Sequence, residues 1–408
     1  MADGITRIAV EGFKSIAKRQ EIEIAPLTIL AGANSSGKSS IMQPLLMLKQ
    51  TLEAPYDPGP VKIDGANVRF TSSDQFLSKI GLSPRRLLRI GINTEGAEFS
   101  ITFVKGEPLK VQEETYTVPG GAKVTLRPVM SQQEITNALP DPWKEEADQL
   151  SIDAYRFFLA FTDRASPPNR IPYPDLGIED VIHVPGLRGN PLRTYSAAHV
   201  TEVFPGTFDN YVASVILAWE KDRRRRYEAL NLDLQRLDLA QIVHARRITD
   251  VAIELQVGIG NNDPQRLDNI ADVGFGVSQV LPALVALRAA DPGRLVYLEE
   301  PEIHLHPRAQ AKLADILADA AKRGVRVVAE THSSLLLRAV QTLVAKGDLD
   351  PELVRLHWFT RDAGGVTQVS SAKPDANGAF GDWPVDFGDV ALRSEQEYLD
   401  AVEDRLTH

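Results

Sequence analysis

The sequence contains no cysteine. Disulfides, thiolate metal sites and a cysteine nucleophile are therefore excluded as explanations of its function. The sequence also lacks any run of about 18 apolar residues, which is what a membrane-spanning helix requires. Basic residues are fewer than acidic ones, 45 against 55, so the formal net charge is −10. This charge argues against indiscriminate binding to nucleic acid over the whole surface, although it is compatible with local basic patches.

The amino-terminal region does not resemble a secretory signal peptide. Its first thirty residues alternate charged and apolar positions and contain no unbroken apolar segment. We therefore expect a cytoplasmic protein with no membrane partner. The length of 408 residues and the apolar content of 43% are typical of a globular protein. A chain of this length suggests about two or three domain-sized units.

One segment matches the phosphate-binding pattern G-x-x-x-x-G-K-[ST]. It consists of Gly32, Ala33, Asn34, Ser35, Ser36, Gly37, Lys38 and Ser39, and Ser40 follows in a helical pattern. We predict that these residues line a nucleotide site, because glycines let backbone N–H groups and a helix dipole point at phosphate oxygens. Lys38 would reach the β- and γ-phosphates, and the Ser39 hydroxyl would ligate Mg²⁺.

Two adjacent glutamates follow a short apolar strand pattern over 295–298. They are Glu299 and Glu300. Carboxylates at the carboxyl end of a buried parallel strand face the ligand crevice of an α/β sheet. Phosphoryl transfer requires a metal ligand and a carboxylate that orients water. We therefore predict that Glu299 contacts Mg²⁺ or its water shell and that Glu300 positions and polarises the attacking water.

Three histidines lie near the strand pattern over 325–329. One follows this pattern, and the other two precede the helical pattern that comes before it. His332 follows the pattern, and we predict that it senses the γ-phosphate through a hydrogen bond. His304 and His306 flank a leucine. Their i,i+2 spacing would point them apart on a helix and no third ligand is evident, so we expect a contact loop between subunits rather than a metal site.

A glycine-rich string over 272–279 precedes another helical pattern. Its residues Gly274 and Gly276 could present backbone N–H groups to a phosphate, and Ser278 is a further candidate for the same contact. Arg188 and Arg193, farther upstream, could also contact a nucleotide phosphate.

Five strings occur in an order that resembles a known group of proteins. They are GFKSI near the start, the phosphate-binding loop, the glycine-rich string, EEPEIHLHP and ETHS. Together they resemble the ABC-type ATPase heads of the SMC, RecF and OLD lineage, and within it the stand-alone bacterial AAA-type ATPases that are often linked to phage defence. The resemblance covers about 1–55 and 265–360 well, and the middle only loosely.

The resemblance implies a composite site for ATP and Mg²⁺. In such heads two subunits sandwich two ATP molecules, each between the phosphate loop of one subunit and the signature loop of the other. The implied catalytic residues are Lys38, Glu300 and His332, with Ser39 and Glu299 at the metal. A homodimer or higher oligomer and a separate effector protein are the implied partners.

Two positions depart from the family pattern. The usual aspartate before the catalytic glutamate is Glu299 here, which puts the affinity for the metal in question. The signature loop has Gly274 where the family places a serine, unless Ser278 substitutes for it. This second departure weakens the inference of a contact to the partner's γ-phosphate.

The fold expected is α/β. We predict a P-loop NTPase head of the ABC type with a mixed or parallel sheet, an antiparallel β subdomain and a helical insertion. The prediction divides the chain into an amino-terminal ATPase lobe with the antiparallel subdomain over 1–130, the insertion over 131–247, and a carboxy-terminal ATPase lobe over 248–408.

Residue periodicity predicts the individual elements. Edge strands are expected at 5–10 and 20–24, antiparallel strands at 61–64, 87–92, 98–104 and 123–126, a long helical stretch at 219–247 and a flexible connection at 163–174. Short apolar strands between helices over 248–360 indicate a parallel sheet.

Three functions remain open on this reasoning. The first is an ATPase whose nucleotide-dependent dimerisation controls nucleic-acid sensing or a partner effector, in phage defence or DNA repair. The second is the ATPase subunit of a transporter, and the third is a nucleotide-bound scaffold with little turnover. The long insertion between Lys38 and Gly274 favours the first. Arginines at 85–89, 223–226 and 246–247 could bind DNA or RNA, but ion pairing with acidic neighbours explains them equally well.

Overall fold

A computed structural model describes residues 4–80, 86–118, 120–163, 174–260 and 267–381, with isolated positions at 396, 397, 399, 400, 402 and 405. Within these residues the helices are α1 (Lys38–Leu52), α2 (Gln132–Ala138), α3 (Val212–Asp222), α4 (Arg224–Arg236), α5 (Phe275–Ala289), α6 (Pro307–Lys322) and α7 (Ser334–Ala345). No helix among them is long and apolar enough to cross a bilayer.

The strands fall into an amino-terminal and a carboxy-terminal set. The first set is β1 (Ile5–Glu11), β2 (Gln20–Glu23), β3 (Leu27–Gly32), β4 (Leu87–Thr94), β5 (Glu98–Val104), β6 (Lys110–Thr117), β7 (Lys123–Leu126), β8 (Leu150–Tyr155) and β9 (Phe158–Asp163). The second set is β10 (Ile182–Val184), β11 (Tyr195–Ser196), β12 (Ile242–Thr249), β13 (Ala252–Gly258), β14 (Asp268–Asn269), β15 (Leu295–Glu299), β16 (Arg326–Thr331), β17 (Val354–Arg361) and β18 (Thr367–Ala372).

A six-stranded central sheet carries the elements that the phosphate-binding motif predicted. Its order is β10-β15-β16-β3-β17-β18. The first five strands are parallel to their neighbours, and β18 is antiparallel to β17. Strands β3, β15 and β16 are short and almost entirely buried, as expected for strands covered by structure on both faces of a sheet. The predicted α/β fold with a mixed sheet is therefore confirmed.

A second six-stranded sheet, with order β2-β1-β4-β5-β6-β7, is antiparallel throughout. It confirms the antiparallel β subdomain but corrects one detail. The sequence predicted two edge strands ahead of the phosphate loop, and only β2 lies at an edge. Strand β1 pairs with both β2 and β4, because its apolar residues on alternate positions pack inside the subdomain.

The central sheet separates two hydrophobic cores. Alternate residues of its strands point to opposite faces, so Leu27 and Ile29 enter one core while Leu30 enters the other. The core on one face contains α1 and the apolar side of the antiparallel sheet. The core on the other face contains residues of α3 to α7. Both faces are thus covered, and the loops at the carboxyl edge of the sheet remain free to form a site.

The segment predicted as a helical insertion is mixed in structure. It contains α2, α3 and α4, but also β8 to β11, and β10 extends the central sheet by pairing in parallel with β15. The helical stretch expected over 219–247 is interrupted at Arg223 and ends at Arg236, and β12 follows. Alternating burial in β12 and its pairing with β13 explain why this part is a strand. The domain boundaries themselves stay a prediction.

Two further strand predictions differ from the structure. Residues 61–64 form no strand, and only an isolated bridge joins Asp64 to Arg69. Strand β6, which the sequence analysis did not predict, pairs with β5 and β7. The charged residues of β6 obscure the alternating pattern of a strand, since Glu114 points into the core rather than to solvent. Residues 164–173 of the predicted flexible connection lie outside the described residues.

The buried Glu114 makes stability depend on pH. Its Oε2 accepts a hydrogen bond from the Leu159 backbone N–H at 3.1 Å, and its Oε1 has no partner. Burial raises the pKa of Glu114 well above its ordinary value. The neutral carboxyl therefore contributes fully to stability below the pKa of Glu114 in the unfolded state, near 4.5. This contribution is lost as the pH rises through the pKa in the folded state, because the buried group must then ionise.

We expect the variant Glu114→Gln to unfold at a higher temperature than the parent at pH 8, with a smaller difference at pH 5. The amide stays neutral at both pH values and still offers an oxygen to the Leu159 N–H. Thermal unfolding followed by circular dichroism measures the difference. Glu113→Gln, on the neighbouring partly exposed position, is the control and should show no such pH dependence. An equal difference for Glu114→Gln at both pH values would contradict the expectation.

Candidate active site

The phosphate-binding motif forms a loop between β3 and α1 whose conformation depends on two glycines. Gly32 has φ of 146° and Gly37 has φ of 111°, both in the region that favours glycine. A Cβ added at Gly37 would lie 2.5 Å from Thr367 Oγ1. That hydroxyl donates to the Ser36 carbonyl oxygen at 2.7 Å, so β18 supports the loop from behind.

Lys38 joins the loop to the acidic ends of other strands. Its Nζ donates to the carbonyl oxygens of Gly32 and Ala33, each at 3.1 Å. Burial lowers the pKa of Lys38, and attraction to the charges of Glu330 and Glu300 opposes this effect. These two glutamates come from β16 and from the residue just after β15. The structure therefore brings Lys38 and Glu300 into one site within a single subunit.

The remaining loop residues fit a phosphate group. Ala33, Asn34 and Ser35 are exposed, whereas Ser36 and Ser40 are buried. The Ser36 hydroxyl has no hydrogen-bond partner, so the loop offers a buried polar atom to a ligand. The backbone N–H groups of the glycine loop suit a phosphate group. The hydroxyl and carboxylate oxygens nearby are the hard ligands that Mg²⁺ prefers.

Glu330, to which the sequence analysis gave no role, contacts Ser39 of the phosphate loop. Ser39 Oγ donates to Glu330 Oε1 at 2.9 Å, and Tyr297 OH donates to Glu330 Oε2 at 2.8 Å. Burial raises the pKa of Glu330 to about 7, with a further increase from the charge of Glu299. Glu330 lies near the end of a buried strand, which is the same sequence signal that predicted Glu299.

Glu299 lies at the predicted strand end, and both of its carboxylate oxygens have partners in a neighbouring segment. Its Oε1 is 3.2 Å from His183 Nε2, and its Oε2 accepts from the Gly186 N–H at 3.0 Å. Burial raises the pKa of Glu299, but hydrogen bonds from His183 and Gly186, with the attraction of His183, outweigh it and hold the pKa below its ordinary value. The structure therefore gives Glu299 partners on β10 and the loop after it.

Glu300 and His332 face each other across the strand ends. The distance from His332 Nε2 to Glu300 Oε1 is 3.6 Å, and both side chains are about one third exposed. Glu300 has φ of 44°, an uncommon value for a residue that is not glycine. Burial, and then the charge of Lys38, lower the pKa of His332, so the neutral ring is favoured near pH 7. Both side chains can thus reach a water molecule or a phosphate from the open side.

Glu302 supports the loop that carries His332. Its Oε1 accepts from the Thr331 hydroxyl, and from the His332 backbone N–H at 3.1 Å. Its Oε2 is buried with no hydrogen-bond partner, and burial raises its pKa. The sequence analysis gave Glu302 no role, although it belongs to the EEPEIHLHP string.

Arg188, which the sequence analysis named as a candidate contact for a nucleotide phosphate, binds backbone carbonyl groups in this structure. It is buried and donates to the carbonyl oxygens of Pro185, Gln279 and Glu299 at 2.6–2.8 Å. Burial lowers its pKa to about 10, so it is still charged at neutral pH. Its guanidinium therefore joins α5 to the end of β15. Arg193, the other suggested phosphate ligand, makes a two-pronged ion pair with Asp272 instead.

The glycine-rich turn precedes α5 and is open to solvent. Gly274 is the N-cap of α5, and a Cβ added there would meet nothing within 4 Å. The Ser278 hydroxyl donates to the Phe275 carbonyl oxygen, and Gly276 packs near Leu239. Within the described part of the chain, no hydrogen bond joins this turn to the phosphate loop. Among the described residues, Gly276 and Ser278 instead have contacts with Leu239, His304 and Phe275.

The two histidines of the EEPEIHLHP string have separate contacts. His306 Nδ1 accepts from the Arg308 backbone N–H at 3.3 Å and so caps α6. His304 has φ of 65°, and its ring centroid is 6.0 Å from that of Phe275. The described residues contain no group of three or more acidic, histidine or cysteine side chains able to hold a metal alone.

Substitution of Gly37 tests the loop. In Gly37→Ala the new Cβ would collide with Thr367, and the loop would shift away from a phosphate. We expect ATP affinity to fall by about 1.4 kcal/mol or more, a factor of ten. Gly59→Ala is the matched control, because Gly59 has φ of 83° but open space around it, and it should bind ATP like the parent. Titration with a fluorescent ATP analogue measures both. Equal affinities for the two variants would contradict the role of the loop.

Substitution of Arg188 tests the link between α5 and β15. Arg188→Met leaves three buried carbonyl oxygens without their charged donor and should cost about 3 kcal/mol or more of stability. Arg193→Met, which removes an exposed ion pair, should cost about 0–1 kcal/mol. Urea unfolding followed by tryptophan fluorescence compares them. The link is not structural if both variants unfold at the same urea concentration.

Comparison with known proteins identifies the family. A family model described as "AAA domain, putative AbiEii toxin, Type IV TA system" matches residues 131–338, half of the chain. A second model, described as "AAA ATPase domain", matches residues 4–115. The first match covers the glycine-rich turn, both strand-end glutamates and His332, and the second covers the phosphate loop. No curated protein matches the chain at a significant level.

Among solved structures, heads of SMC proteins resemble the chain at low sequence identity. One is an SMC head bound to the C-winged helix domain of ScpA, with 15% identity, a TM-score of 0.48, and coverage of 91% of this chain and 98% of that one. An SMC head domain from Thermotoga maritima has 14% identity and a TM-score of 0.40 over 91% and 98% of the two chains.

A third similar structure is the Smc head domain with an extended coiled coil bound to the C-terminal domain of ScpA, derived from Pyrococcus furiosus. It has 12% identity and a TM-score of 0.44 over 98% and 99% of the two chains. The family assignment rests on the two sequence models rather than on these structural likenesses. The chain therefore belongs to the AAA-domain family that the first model describes, which confirms the AAA-type ATPase predicted from its motifs.

Proposed function

We propose that the chain binds ATP with Mg²⁺ at the carboxyl edge of the central sheet and hydrolyses it. One observation carries this proposal: Lys38 and Ser39 of the phosphate loop lie among Glu330, Glu300 and His332 from neighbouring strands. Phosphoryl transfer needs a positioned phosphate, charge neutralisation and an oriented water, and these side chains supply each of them.

Each residue has a separate role in the proposed reaction. Lys38 leaves the loop carbonyls and donates to the β- and γ-phosphate oxygens. When bound, Mg²⁺ neutralises charge on those phosphates, with the Ser39 hydroxyl among its ligands. Glu300 accepts a hydrogen bond from the attacking water and takes its proton as the bond from the water oxygen to the γ-phosphorus forms. The bond from that phosphorus to the bridging oxygen breaks in the same step, and ADP is the leaving group. His332 donates to a γ-phosphate oxygen through its Nε2–H.

We propose further that two copies of the chain pair around the nucleotides. The turn at Gly274 is exposed at the amino-terminal end of α5, where backbone N–H groups and the helix dipole attract a phosphate. Among the described residues, no hydrogen bond joins this turn to the phosphate loop of its own subunit. The turn would therefore contact a nucleotide bound at the phosphate loop of a second copy. Phe275, which is half exposed beside this turn, adds an apolar surface for that contact.

The setting we propose is control of a separate effector protein in phage defence, with DNA repair as the other setting. The description of the matching family, which names a toxin–antitoxin system, supports defence. Direct binding to DNA or RNA has less support. In the described part of the arginine clusters, Arg86 pairs with Asp74, Arg224 with Glu228, Arg226 with Asp291, Arg246 with Glu254 and Arg89 with Glu11. Arg85 lies outside the described residues.

The variant Glu300→Gln tests the catalytic assignment. It removes the acceptor for the water proton but leaves the phosphate loop unchanged, so we expect phosphate release to slow by about a hundredfold or more. ATP should then hold the variant as a dimer, which size-exclusion chromatography with light scattering would show. Glu113→Gln, a carboxylate-to-amide change on the antiparallel sheet, is the matched control and should hydrolyse ATP like the parent.

Two results would count against the proposal. Parental turnover in Glu300→Gln would remove Glu300 from the reaction. A parent that binds ATP but releases no phosphate would favour the nucleotide-bound scaffold. Identification of the protein or nucleic acid that copurifies with the trapped variant then distinguishes an effector partner from a nucleic-acid ligand, and a membrane protein in that complex would favour the transporter subunit.

A further inference from the structure

We propose that His183 and Asn67 are positioning residues, which fix the carboxylate of Glu299 and connect it to the helix that follows the phosphate loop. This inference rests on the proposed function, because Glu299 is the carboxylate predicted at the Mg²⁺ of the same nucleotide site. The sequence analysis gave His183 and Asn67 no role, and 116 positions separate them in the chain.

His183 holds Glu299 from the neighbouring strand. Strand β10 pairs in parallel with β15, and His183 lies in register with Tyr297, two residues before Glu299. Alternate residues of a strand share one face of the sheet, so these three side chains lie on the same face. The His183 ring is buried and stacks on that of Tyr297, with 5.3 Å between the ring centroids and 11° between the ring planes. The stack holds the ring so that its Nε2 lies 3.2 Å from Glu299 Oε1.

The contact with His183 leaves Glu299 able to face a metal or its water shell. An ionised carboxylate accepts at about four lone-pair positions. One position at Oε1 faces His183, and one at Oε2 accepts the Gly186 N–H at 3.0 Å. The remaining positions are those that a hydrated Mg²⁺ would use, since this ion keeps several waters in proteins. Without the imidazole, the carboxylate could turn about its own side-chain bonds, and the metal would lose an oriented partner.

Asn67 fixes the other side of the His183 ring. Its Oδ1 lies 2.9 Å from His183 Nδ1, so each ring nitrogen has a polar partner. The Asn67 Nδ2 is buried with no hydrogen-bond partner among the described residues, and such a group costs stability. The amide is therefore better explained by its contact with the ring than by packing.

Gln50 attaches the segment that carries Asn67 to α1. Its Nε2 donates to the Lys62 carbonyl oxygen at 2.6 Å, and its Oε1 accepts the Val68 N–H at 3.0 Å. The approach is close, because a Cβ added at Gly65 would lie 2.6 Å from Gln50 Oε1. Helix α1 begins at Lys38 in the phosphate loop. A chain of contacts thus joins the helix of the phosphate loop to the carboxylate of Glu299.

The test measures how much Mg²⁺ strengthens nucleotide binding, and not hydrolysis. A fluorescent ATP analogue is titrated into the whole chain in excess EDTA and then in excess Mg²⁺, and the ratio of the two affinities is the metal-dependent gain. In His183→Phe the ring can still stack on Tyr297 but has no nitrogen to offer Glu299. We expect this variant to lose about tenfold of the gain, as is typical when a residue that orients a metal ligand is removed. Its affinity in EDTA should stay near that of the parent.

His357→Phe is the matched control. His357 is also a buried histidine of the central sheet with a partner at each ring nitrogen, but these partners are the Ser371 hydroxyl and the Glu23 carbonyl oxygen. This variant should keep the metal-dependent gain. Asn67→Ala leaves the His183 ring in place but releases its far side, so we expect a smaller loss of gain than in His183→Phe. It also replaces His183→Phe in the test if that variant does not fold, as judged by circular dichroism.

A double variant tests whether His183 acts through Glu299. If it does, Glu299→Gln should itself lose metal-dependent gain, and the addition of His183→Phe should lower the gain no further. Mn²⁺ in place of Mg²⁺ gives a second readout, since electron paramagnetic resonance counts the free ion in the presence of protein and ATP. Each variant that loses the gain should leave more Mn²⁺ free than the parent does.

The outcomes separate this inference from the proposed function. The inference is overturned if His183→Phe, or Asn67→Ala where the first does not fold, keeps the gain of the parent, or if His357→Phe loses as much. It is also overturned if the parent shows no gain, if Glu299→Gln keeps the gain, or if His183→Phe lowers it further in the Glu299→Gln background. The proposed function fails instead if the parent binds no nucleotide under either condition.

Discussion

The parallel register of β3, β16 and β15 is the constraint on which the site depends. Adjacent strands that run in the same direction end at the same edge, so Gly32, Glu330 and Glu299 are aligned there although nearly 300 positions separate the first from the others in the sequence. The apolar residues of these strands are buried on both faces and fix that register. A slip of one residue would turn Glu330 away from Ser39 and move each core side chain of that strand to the opposite face of the sheet.

The site carries more acidic than basic side chains. Around Lys38 lie Glu300, Glu302 and Glu330. The cost of burying these groups is only partly offset by the attraction of Lys38 and by the hydrogen bonds that Glu302 and Glu330 accept from other neighbours. The phosphates of a nucleotide would add further negative charge. A divalent cation bound with the nucleotide would therefore do more than orient the phosphates, since it would supply positive charge at this acidic edge. The same burial explains why the pKa of Glu330 is raised.

Short motifs predicted the site better than periodicity predicted the chain between them. The phosphate loop and both strand ends were predictable because glycine conformation and buried strands are local properties. The partners of Glu299 could not be predicted in this way, because His183 comes from a distant segment that only the folded sheet brings near. Strand β6 was missed for a related reason, because Glu114 is buried only through contact with β9. Local pattern does not reveal that kind of burial.

Arg188 connects the two halves of the proposed composite site. Its guanidinium binds the carbonyl oxygen of Gln279 in α5 and that of Glu299 at the end of β15. In the proposed dimer, the turn at Gly274 would face the partner's nucleotide, and the acidic edge would face the nucleotide of its own subunit. Buried Arg188 joins the two. A carbonyl-to-guanidinium contact of 2.6 Å in a low-dielectric interior resists stretching more than a neutral hydrogen bond does. In the proposed dimer, this link would couple movement of the acidic edge to α5, and so to the contact with the second copy.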